Sequence, residues 1–166
     1  SPPEMQKILS DTPYMLAVKN GRTRRSYLQN SGITRLGESS KGICVTADLC
    51  PSRLPMDRIF LSSLAEYHRN NGQGPLPVAF AVSGIWMEKH QADLRWLLAL
   101  SRGGLADITW INHSYSHGHL KTEALRGNYL LIPGTDVQNE ILRTEIIMIQ
   151  NGIVPSVFFR FPGLVS

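Results

Sequence analysis

The stretch PVAFAV, residues 77–82, decides the fold, because it is apolar at every position and ends abruptly at Ser83-Gly84. A short run without polar positions is typical of a strand that is buried on both faces. Such strands occur in parallel sheets that carry helices on each side. The stretch therefore predicts one strand of a covered, parallel sheet.

Three further apolar runs lie before and after this stretch. They are ICVTA at residues 43–47, ITWI at residues 108–111 and VFF at residues 157–159. Helical segments separate the runs and are predicted over residues 57–70, 86–102 and 135–151. Four strands that alternate with three helices predict an α/β fold with parallel strands and right-handed crossovers.

Two of the predicted helices carry polar residues suited to their starts, and all three end near a glycine. The starts are Asp57 in the first helix and a capping box of Thr135 and Gln138 in the third, and the ends are Gly72, Gly103 and Gly152. In the first helix Phe60, Leu64 and Tyr67 recur at helical spacing.

Polar or charged residues follow all four predicted strands. They are Asp48, Ser83, His113 and Arg160. The carboxyl ends of parallel strands meet at one edge of a sheet, and α/β proteins place their sites at that edge. We therefore expect a functional site there.

The segment HSYSH, residues 113–117, places two imidazoles four residues apart. If the chain turns into a helix after the third strand, His113 and His117 share one face with Cβ atoms about 6 Å apart. Two neutral imidazoles at that spacing can bind one divalent ion such as zinc. The alternative is a pair of surface histidines or a satisfied core histidine, and the position directly after a buried strand favours the metal site.

Asp48 leaves the first predicted strand toward the same edge. A carboxylate in that position is costly to bury unless it is paired or binds a metal. It is either a metal ligand beside the two histidines or the general base that deprotonates a water. A loop-capping Asp, bonded to backbone amides, is the structural alternative.

Arg160, Gly163 and Cys50 are further candidates. Arg160 needs an acidic partner, which is either a catalytic carboxylate that it orients or a structural ion pair. Gly163 can offer its N–H to a developing oxyanion. Cys50 could bind zinc as a thiolate, although a small packed thiol is the favoured interpretation. The other histidines, His68, His90 and His119, are expected at the surface.

Composition is that of an ordinary globular chain, with 166 residues, 42% hydrophobic and 18% charged. No apolar run reaches the roughly 18 residues that a membrane span needs. The formal charge of +4 suits acidic partners, but without an interleaved aromatic and basic pattern we expect no nucleic-acid binding. Cys44 and Cys50 would lie about 20 Å apart on an extended chain, so both are expected to be free thiols.

Three ordered motifs resemble the NodB-type polysaccharide deacetylases, carbohydrate esterase family 4. The motifs are Thr46-Ala47-Asp48, Asn112-His113-Ser114 with His117, and Arg160-Phe161-Pro162-Gly163. The resemblance implies an irregular (β/α) barrel, of which this chain covers about four strands. Residues 1–40 are then an N-terminal extension, and residues 41–166 are the N-terminal part of the barrel.

The resemblance also implies a role for each matching residue. The implied metal ligands are His113 and His117, with Asp48 as base, Arg160 as its orienting partner, and Gly163, Pro162 and Asn112 as substrate-binding residues. Leu49 stands where the family has a metal-ligand Asp. Asp48 therefore also remains a candidate metal ligand.

The activity implied by the resemblance is a metal-dependent deacetylase, a hydrolase that removes N-acetyl or O-acetyl groups from peptidoglycan or a chitin-like polysaccharide. The expected cofactor is a divalent metal, foremost zinc. An exported location, periplasmic or extracellular, is expected, and the start at Ser1 suits processing as well as trimming. The alternative, suggested by Leu49, is a catalytically silent relative that binds glycan or metal.

Overall fold

The computed structural model describes residues 45–164, of which Arg126 and Leu164 are described by their backbone alone. The elements are, in chain order, β1 Thr46–Leu49, α1 Arg58–Asn70, β2 Leu76–Val82, α2 Gly84–Lys89, α3 Gln91–Arg102, β3 Ala106–Asn112 and α4 Val137–Gln150. The predicted alternation of strands and helices is confirmed over this range. The predicted extension at residues 1–40, and Cys44 in the first predicted strand, lie outside the described residues.

The sheet within residues 45–164 has three parallel strands in the order β1-β2-β3. In the register of the sheet, Ala81 lies opposite Asp48, and Val82 lies opposite both Leu49 and Asn112. The predicted parallel α/β arrangement is therefore confirmed, and the carboxyl ends of the three strands meet at one edge. The closed irregular barrel stays a prediction, because these three strands form an open sheet.

The fourth predicted strand, VFF, is wrong for most of its length. It makes one isolated parallel bridge, between Phe159 and Asn112. The amide of Ser156 donates to the Trp110 carbonyl at 2.8 Å, and the amide of Arg160 donates to the Asn112 carbonyl at 2.9 Å. An advance of four positions along this segment thus matches an advance of two positions along β3. That unequal spacing prevents a regular ladder, and the segment lies beside β3 without extending the sheet.

The hydrophobic core lies where the helices pack on the sheet. Its buried members include Leu49 of β1, Val78, Phe80 and Val82 of β2, Leu94 and Leu97 of α3, and Met148 of α4. Full burial of each such side chain stabilises the fold by about 1.5–3 kcal/mol. These contacts hold the three strand ends in place.

Of the three residues that the sequence suggested for the inner face of helix α1, Leu64 packs against the core and Phe60 and Tyr67 do not. Phe60 and Tyr67 are 61% and 69% exposed, whereas Leu61 and Ala65 are buried. Both sets of positions recur with helical spacing, so periodicity alone does not select between them. Packing selects the face, since Leu61 and Ala65 join the core, and the Arg58 guanidinium also binds the buried Asp93 carboxylate of α3 at 2.6 Å.

The single helix predicted over residues 86–102 is interrupted at His90, which separates α2 from α3. The backbone of His90 leaves the helical region, and its ring stacks on Trp86 at 5.3 Å. Its Nε2–H donates to the Ser52 carbonyl at 2.8 Å. His90 was expected at the surface, but only 12% of its side chain is exposed, and it joins the loop after β1 to the start of α3.

Helix α4 begins one residue later than its predicted capping box. The Asp136 carboxylate, not Thr135, accepts from the amide of Asn139 at 3.0 Å. The capping box of Thr135 and Gln138 is therefore wrong, because a neighbouring Asp is an equally good cap and takes the position. Among the described helices, none is long and apolar enough to cross a membrane.

The predicted cap of α1 is confirmed and can be tested. The Asp57 carboxylate accepts from the Phe60 amide at 2.9 Å. Asp57→Ala is expected to lower the free energy of unfolding by about 1 kcal/mol, measured by urea denaturation. Ser63→Ala, at an exposed position inside α1, is the control and should change it by less than about 0.5 kcal/mol. Equal losses in the two variants would contradict the capping role.

Candidate functional site

Most of the side chains that were predicted to form the functional site lie at the carboxyl edge of the sheet. Asp48 lies within β1, one residue before its end, rather than after the strand as predicted. His113 follows β3 directly. The backbone bond between Arg160 and Asn112 brings Arg160 to the same edge. The three residues come from segments far apart in sequence, and the parallel register places them together.

Ser83, at the end of β2, has a structural role at this edge. Its fully buried hydroxyl donates to the Leu49 carbonyl at 3.1 Å and accepts from the Trp86 amide at 3.3 Å. The Ser83 hydroxyl therefore caps α2 and joins β2 to β1. It acts as both a donor and an acceptor within the protein.

His113 is almost completely buried, with 1% of its surface exposed. Its Nδ1 lies 2.7 Å from the Arg160 carbonyl oxygen. A carbonyl can only accept, so Nδ1 carries the proton and the Nε2 lone pair is free. Burial lowers the pKa of His113 below its ordinary value, which keeps the imidazole neutral. This is the tautomer and protonation state that a metal ligand requires.

His117 reaches His113 through a turn and not through the predicted helix. Ser114 and His117 both adopt left-handed backbone conformations, with φ of 65° and 49°. The Ser114 hydroxyl accepts from the His117 amide at 3.2 Å and closes the turn. The two rings lie 4.8 Å apart between centroids. Burial and the neighbouring His113 lower the pKa of His117, so this imidazole is also neutral.

The carboxylate of Glu140, in the first turn of α4, holds the turn between the histidines. One oxygen of Glu140 accepts from the amides of both Tyr115 and Ser116, at 3.0 and 2.8 Å. Hydrogen bonds from backbone amides to a carboxylate are stronger than neutral ones. Glu140 therefore stabilises the unusual backbone of the turn, and sequence reasoning missed it because the contact joins residues 24 and 25 positions apart.

The start of α2 supports the same turn from the other side. The amides of Gly84 and Ile85 donate to the carbonyls of Ser114 and Tyr115 at 3.1 and 3.0 Å. A Cβ at Gly84 would collide with the Tyr115 ring. The glycine that follows β2 is thus required for close approach of the histidine turn.

Cys50 lies against both histidines. Its Sγ is 3.6 Å from Nε2 of His113 and 3.4 Å from Nε2 of His117. The ligand atoms of the three side chains all lie within 4.8 Å of one another. Burial, and to a lesser degree the Asp48 carboxylate, raise the pKa of the Cys50 thiol. The sequence favoured a packed thiol, whereas the structure places this thiol in contact with the predicted ligand pair.

Asp48 and Arg160 form an ion pair beside this cluster. Arg160 Nη1 lies 2.5 Å from Asp48 Oδ1 and 3.2 Å from the Thr46 hydroxyl. The second oxygen, Oδ2, is 3.9 Å from Nε2 of His113. About a third of the Asp48 side chain is exposed. One carboxylate oxygen is therefore held by the guanidinium while the other faces the histidines and solvent.

Tyr129 and Gly163 form a wall next to His117. The Tyr129 ring meets the His117 ring edge-on, with centroids 5.1 Å apart. Gly163 has a φ of 66°, and a Cβ there would collide with the Tyr129 ring. The side-chain oxygen Oδ1 of the fully buried Asn128 accepts from the backbone amide of Tyr129 at 2.9 Å and holds this loop. Sequence reasoning missed Tyr129 and Asn128, because nothing in their local sequence relates them to the histidines.

Two of the predicted substrate-binding residues are buried. Pro162 is almost completely buried. The Asn112 amide, 2% exposed, donates to the Ile141 carbonyl and accepts from the Ser114 amide, both at 3.0 Å. Asn112 thus joins β3 to α4 and starts the histidine turn. Gly163 is exposed, and contact of any of the three with substrate stays a prediction.

The assembled site has the chemistry of a cation site with a base beside it. Two neutral imidazole nitrogens and one sulfur lie within 4.8 Å of one another. Nitrogen and sulfur donors suit zinc and similar borderline ions, and they are poor partners for magnesium or calcium. An oriented carboxylate next to such an ion can accept a proton from water. The residues present therefore fit a divalent metal.

No family model matches the chain. Among solved structures it is similar to a family 4 carbohydrate esterase from Streptomyces lividans in complex with acetate, with 21% identity over 75% of this chain and 52% of that chain, at a TM-score of 0.45. It is also similar to the peptidoglycan deacetylase PdaC from Bacillus subtilis, with 17% identity over 79% and 54% of the two chains, at a TM-score of 0.46.

A third similar structure is a family 4 carbohydrate esterase pseudoenzyme from Bacillus anthracis, with 13% identity over 74% of this chain and 35% of that chain, at a TM-score of 0.46. The chain spans about half of the length of these structures or less. Function is therefore inferred from the residues of the site.

The role of Glu140 predicts a specific loss of stability. Glu140→Ala removes the acceptor of two backbone amides and is expected to lower the free energy of unfolding by about 1–3 kcal/mol, measured by urea denaturation. Glu140→Gln keeps one oxygen acceptor and should lose less. Gln138→Ala, exposed in the same turn of α4, is the control and should change stability by less than about 0.5 kcal/mol. A neutral Glu140→Ala would refute the role.

Proposed function

We propose that the protein is a metal-dependent deacetylase, which removes N-acetyl or O-acetyl groups from a polysaccharide. The observation that carries the proposal is the Asp48 carboxylate, bonded by Arg160 at 2.5 Å and 3.9 Å from the imidazole of His113. The three motifs that resemble the family 4 carbohydrate esterases meet at this point of the sheet. They combine a potential cation site and a base, which hydrolysis of an acetyl group needs.

His113 and His117 would hold the metal through their Nε2 atoms, and zinc is the ion that suits them best. When bound, such an ion polarises a carbonyl group and makes a neighbouring water more acidic. The contact between Nδ1 of His113 and the Arg160 carbonyl leaves the Nε2 lone pair of His113 available for the metal. This backbone contact supplies the second-sphere hydrogen bond that most metal-binding histidines have.

Asp48 would act as the general base and Arg160 as its positioning residue. The oxygen that faces His113 accepts a proton from the attacking water, while the other oxygen stays on the guanidinium. The Thr46 hydroxyl, 3.2 Å from the same guanidinium nitrogen, restricts the Arg160 side chain further. A carboxylate held in this way is oriented before substrate arrives.

Gly163 would present its amide to the oxyanion that develops on the acetyl carbonyl. Its exposed position and the absence of a side chain permit close approach. Pro162 and Asn112 would support this region, as predicted substrate-side residues, by fixing the backbone around Gly163 and the histidine turn. Peptidoglycan or a chitin-like glycan is the proposed substrate and an exported location is proposed with it, in keeping with the similar peptidoglycan deacetylase.

A catalytically silent relative is the second candidate. Leu49, which stands where the family carries a metal-ligand Asp, is buried in the core and offers no ligand atom. One of the similar solved structures is itself described as a pseudoenzyme. Such a protein would bind glycan or metal without releasing acetate.

Acetate release decides between the two candidates. The zinc-loaded protein is expected to release acetate from acetylated chitooligosaccharides or peptidoglycan, and chelation should stop the reaction. Asp48→Asn should reduce the rate by at least about 100-fold and leave the bound metal unchanged, because it removes the base alone. Asp107→Asn, an exposed carboxylate near the opposite end of β3, is the control and should keep the rate.

Two outcomes would count against the proposal. A full rate in Asp48→Asn would rule out this base. No acetate from either glycan, with one equivalent of zinc bound, would instead support the silent relative.

A further inference from the structure

We infer that Cys50 supplies the third protein ligand of the metal, as a thiolate beside His113 and His117. The inference rests on the proposed function, because it concerns the same metal, and it changes the expected donor set from two nitrogens and a carboxylate oxygen to two nitrogens and a sulfur. Sulfur is the donor that most strongly separates zinc-like ions from magnesium and calcium.

The alternation of side chains along β1 explains why Cys50 is available. Leu49 points into the core, where only 9% of its surface is exposed. Successive side chains of an extended chain point to opposite sides, so Asp48 and Cys50 share the other side. Cys50 is therefore the next residue after Asp48 that can face the histidines, and its measured contacts with both rings agree with that placement.

The two distances from the Cys50 sulfur suit a tetrahedral ion. Zinc bonds of about 2.3 Å to sulfur and about 2.0–2.1 Å to nitrogen put the two donor atoms about 3.5 Å apart at tetrahedral angles. The observed separations of the Cys50 sulfur from the two Nε2 atoms are 3.6 and 3.4 Å. Three protein ligands leave a fourth position open, which is the arrangement of catalytic rather than structural zinc.

Asp48 is less suited than Cys50 to be the third ligand. One of its oxygens is bonded to Arg160 at 2.5 Å, and the other lies 3.9 Å from His113. Within the metal-sized group of donors in residues 45–164, the third member besides the two histidines is Cys50 and not Asp48. A thiolate ligand also leaves the carboxylate free to act as base, which resolves the conflict between its two predicted roles.

Metal binding through Cys50 releases one proton from the thiol. A zinc–sulfur bond forms, the S–H bond of Cys50 breaks, and its proton goes to solvent. Without a metal, the thiol can instead donate its one proton to Nε2 of one histidine and accept a hydrogen bond from the other, when that ring carries its proton on Nε2. Metal binding and a purely hydrogen-bonded cluster are therefore the two states that an experiment has to separate.

Cobalt provides a readout that is independent of catalysis. The purified protein is titrated with Co(II), and a thiolate ligand gives a sulfur-to-cobalt charge-transfer band in the near ultraviolet. We expect the band in the original protein and in Cys44→Ala, which keeps Cys50 as its one thiol. Cys50→Ser should lose the band, and its Kd for Zn(II), measured by chelator competition, should rise by more than about 100-fold.

Cys50→Asp is the second variant, in case Cys50→Ser does not fold by circular dichroism. A carboxylate at this position is expected to keep one equivalent of Zn(II), with a Kd within about tenfold of the original, but to give no charge-transfer band. The band would overturn the inference if it persisted in Cys50→Asp. Unchanged Zn(II) affinity in Cys50→Ser would overturn it as well.

The remaining outcomes separate this inference from the proposed function. One equivalent of Co(II) bound without the band would exclude Cys50 as a ligand and leave a metal-dependent deacetylase intact. The band together with no acetate release would support Cys50 and reject the enzyme. Failure of the original protein to bind Zn(II) or Co(II) would overturn both.

Discussion

The hydrogen bond from His113 to the Arg160 carbonyl, 2.7 Å long, is the contact on which the site depends. It sets the tautomer of the imidazole and joins the end of β3 to the segment that carries Arg160. The same segment places the Arg160 guanidinium against Asp48 of β1, which is the outer strand opposite β3. One backbone carbonyl therefore links a predicted ligand to the orientation of the predicted base, so neither can shift without disturbing the other.

The backbone around the histidines is strained, and the fold compensates from two directions. Ser114 and His117 adopt left-handed conformations that cost free energy in residues other than glycine. Glu140 binds two amides of this turn, and the amides at the start of α2, beginning with Gly84, bind two of its carbonyls. Backbone strain that is stabilised by several contacts is typical of functional sites. Such strain places side chains at separations that they would not have in a relaxed helix.

Three consecutive residues at the end of β1 have three different structural roles. Asp48 faces the histidines and Arg160, Leu49 fills the core, and Cys50 returns to the side of the site. This alternation is a property of extended backbone. In the proposed site, Cys50 would thus supply the ligand that Leu49 lacks, two residues after the proposed base Asp48, without any change in the strand itself.

The sequence by itself determined where the three strands lie along the chain and the chemical character of their carboxyl edge, because apolar runs and the polar residues that end them are local patterns. It did not determine the burial of β1, where Leu49 is buried and Thr46 and Asp48 are exposed. Tertiary structure alone decided that residues 157–159 form one bridge, that α1 buries Leu61 rather than Phe60, and that Cys50 touches both histidines. Each of these outcomes depends on packing between segments far apart in the chain. Periodicity restricts which faces a segment can bury, and only the neighbouring segments select among them.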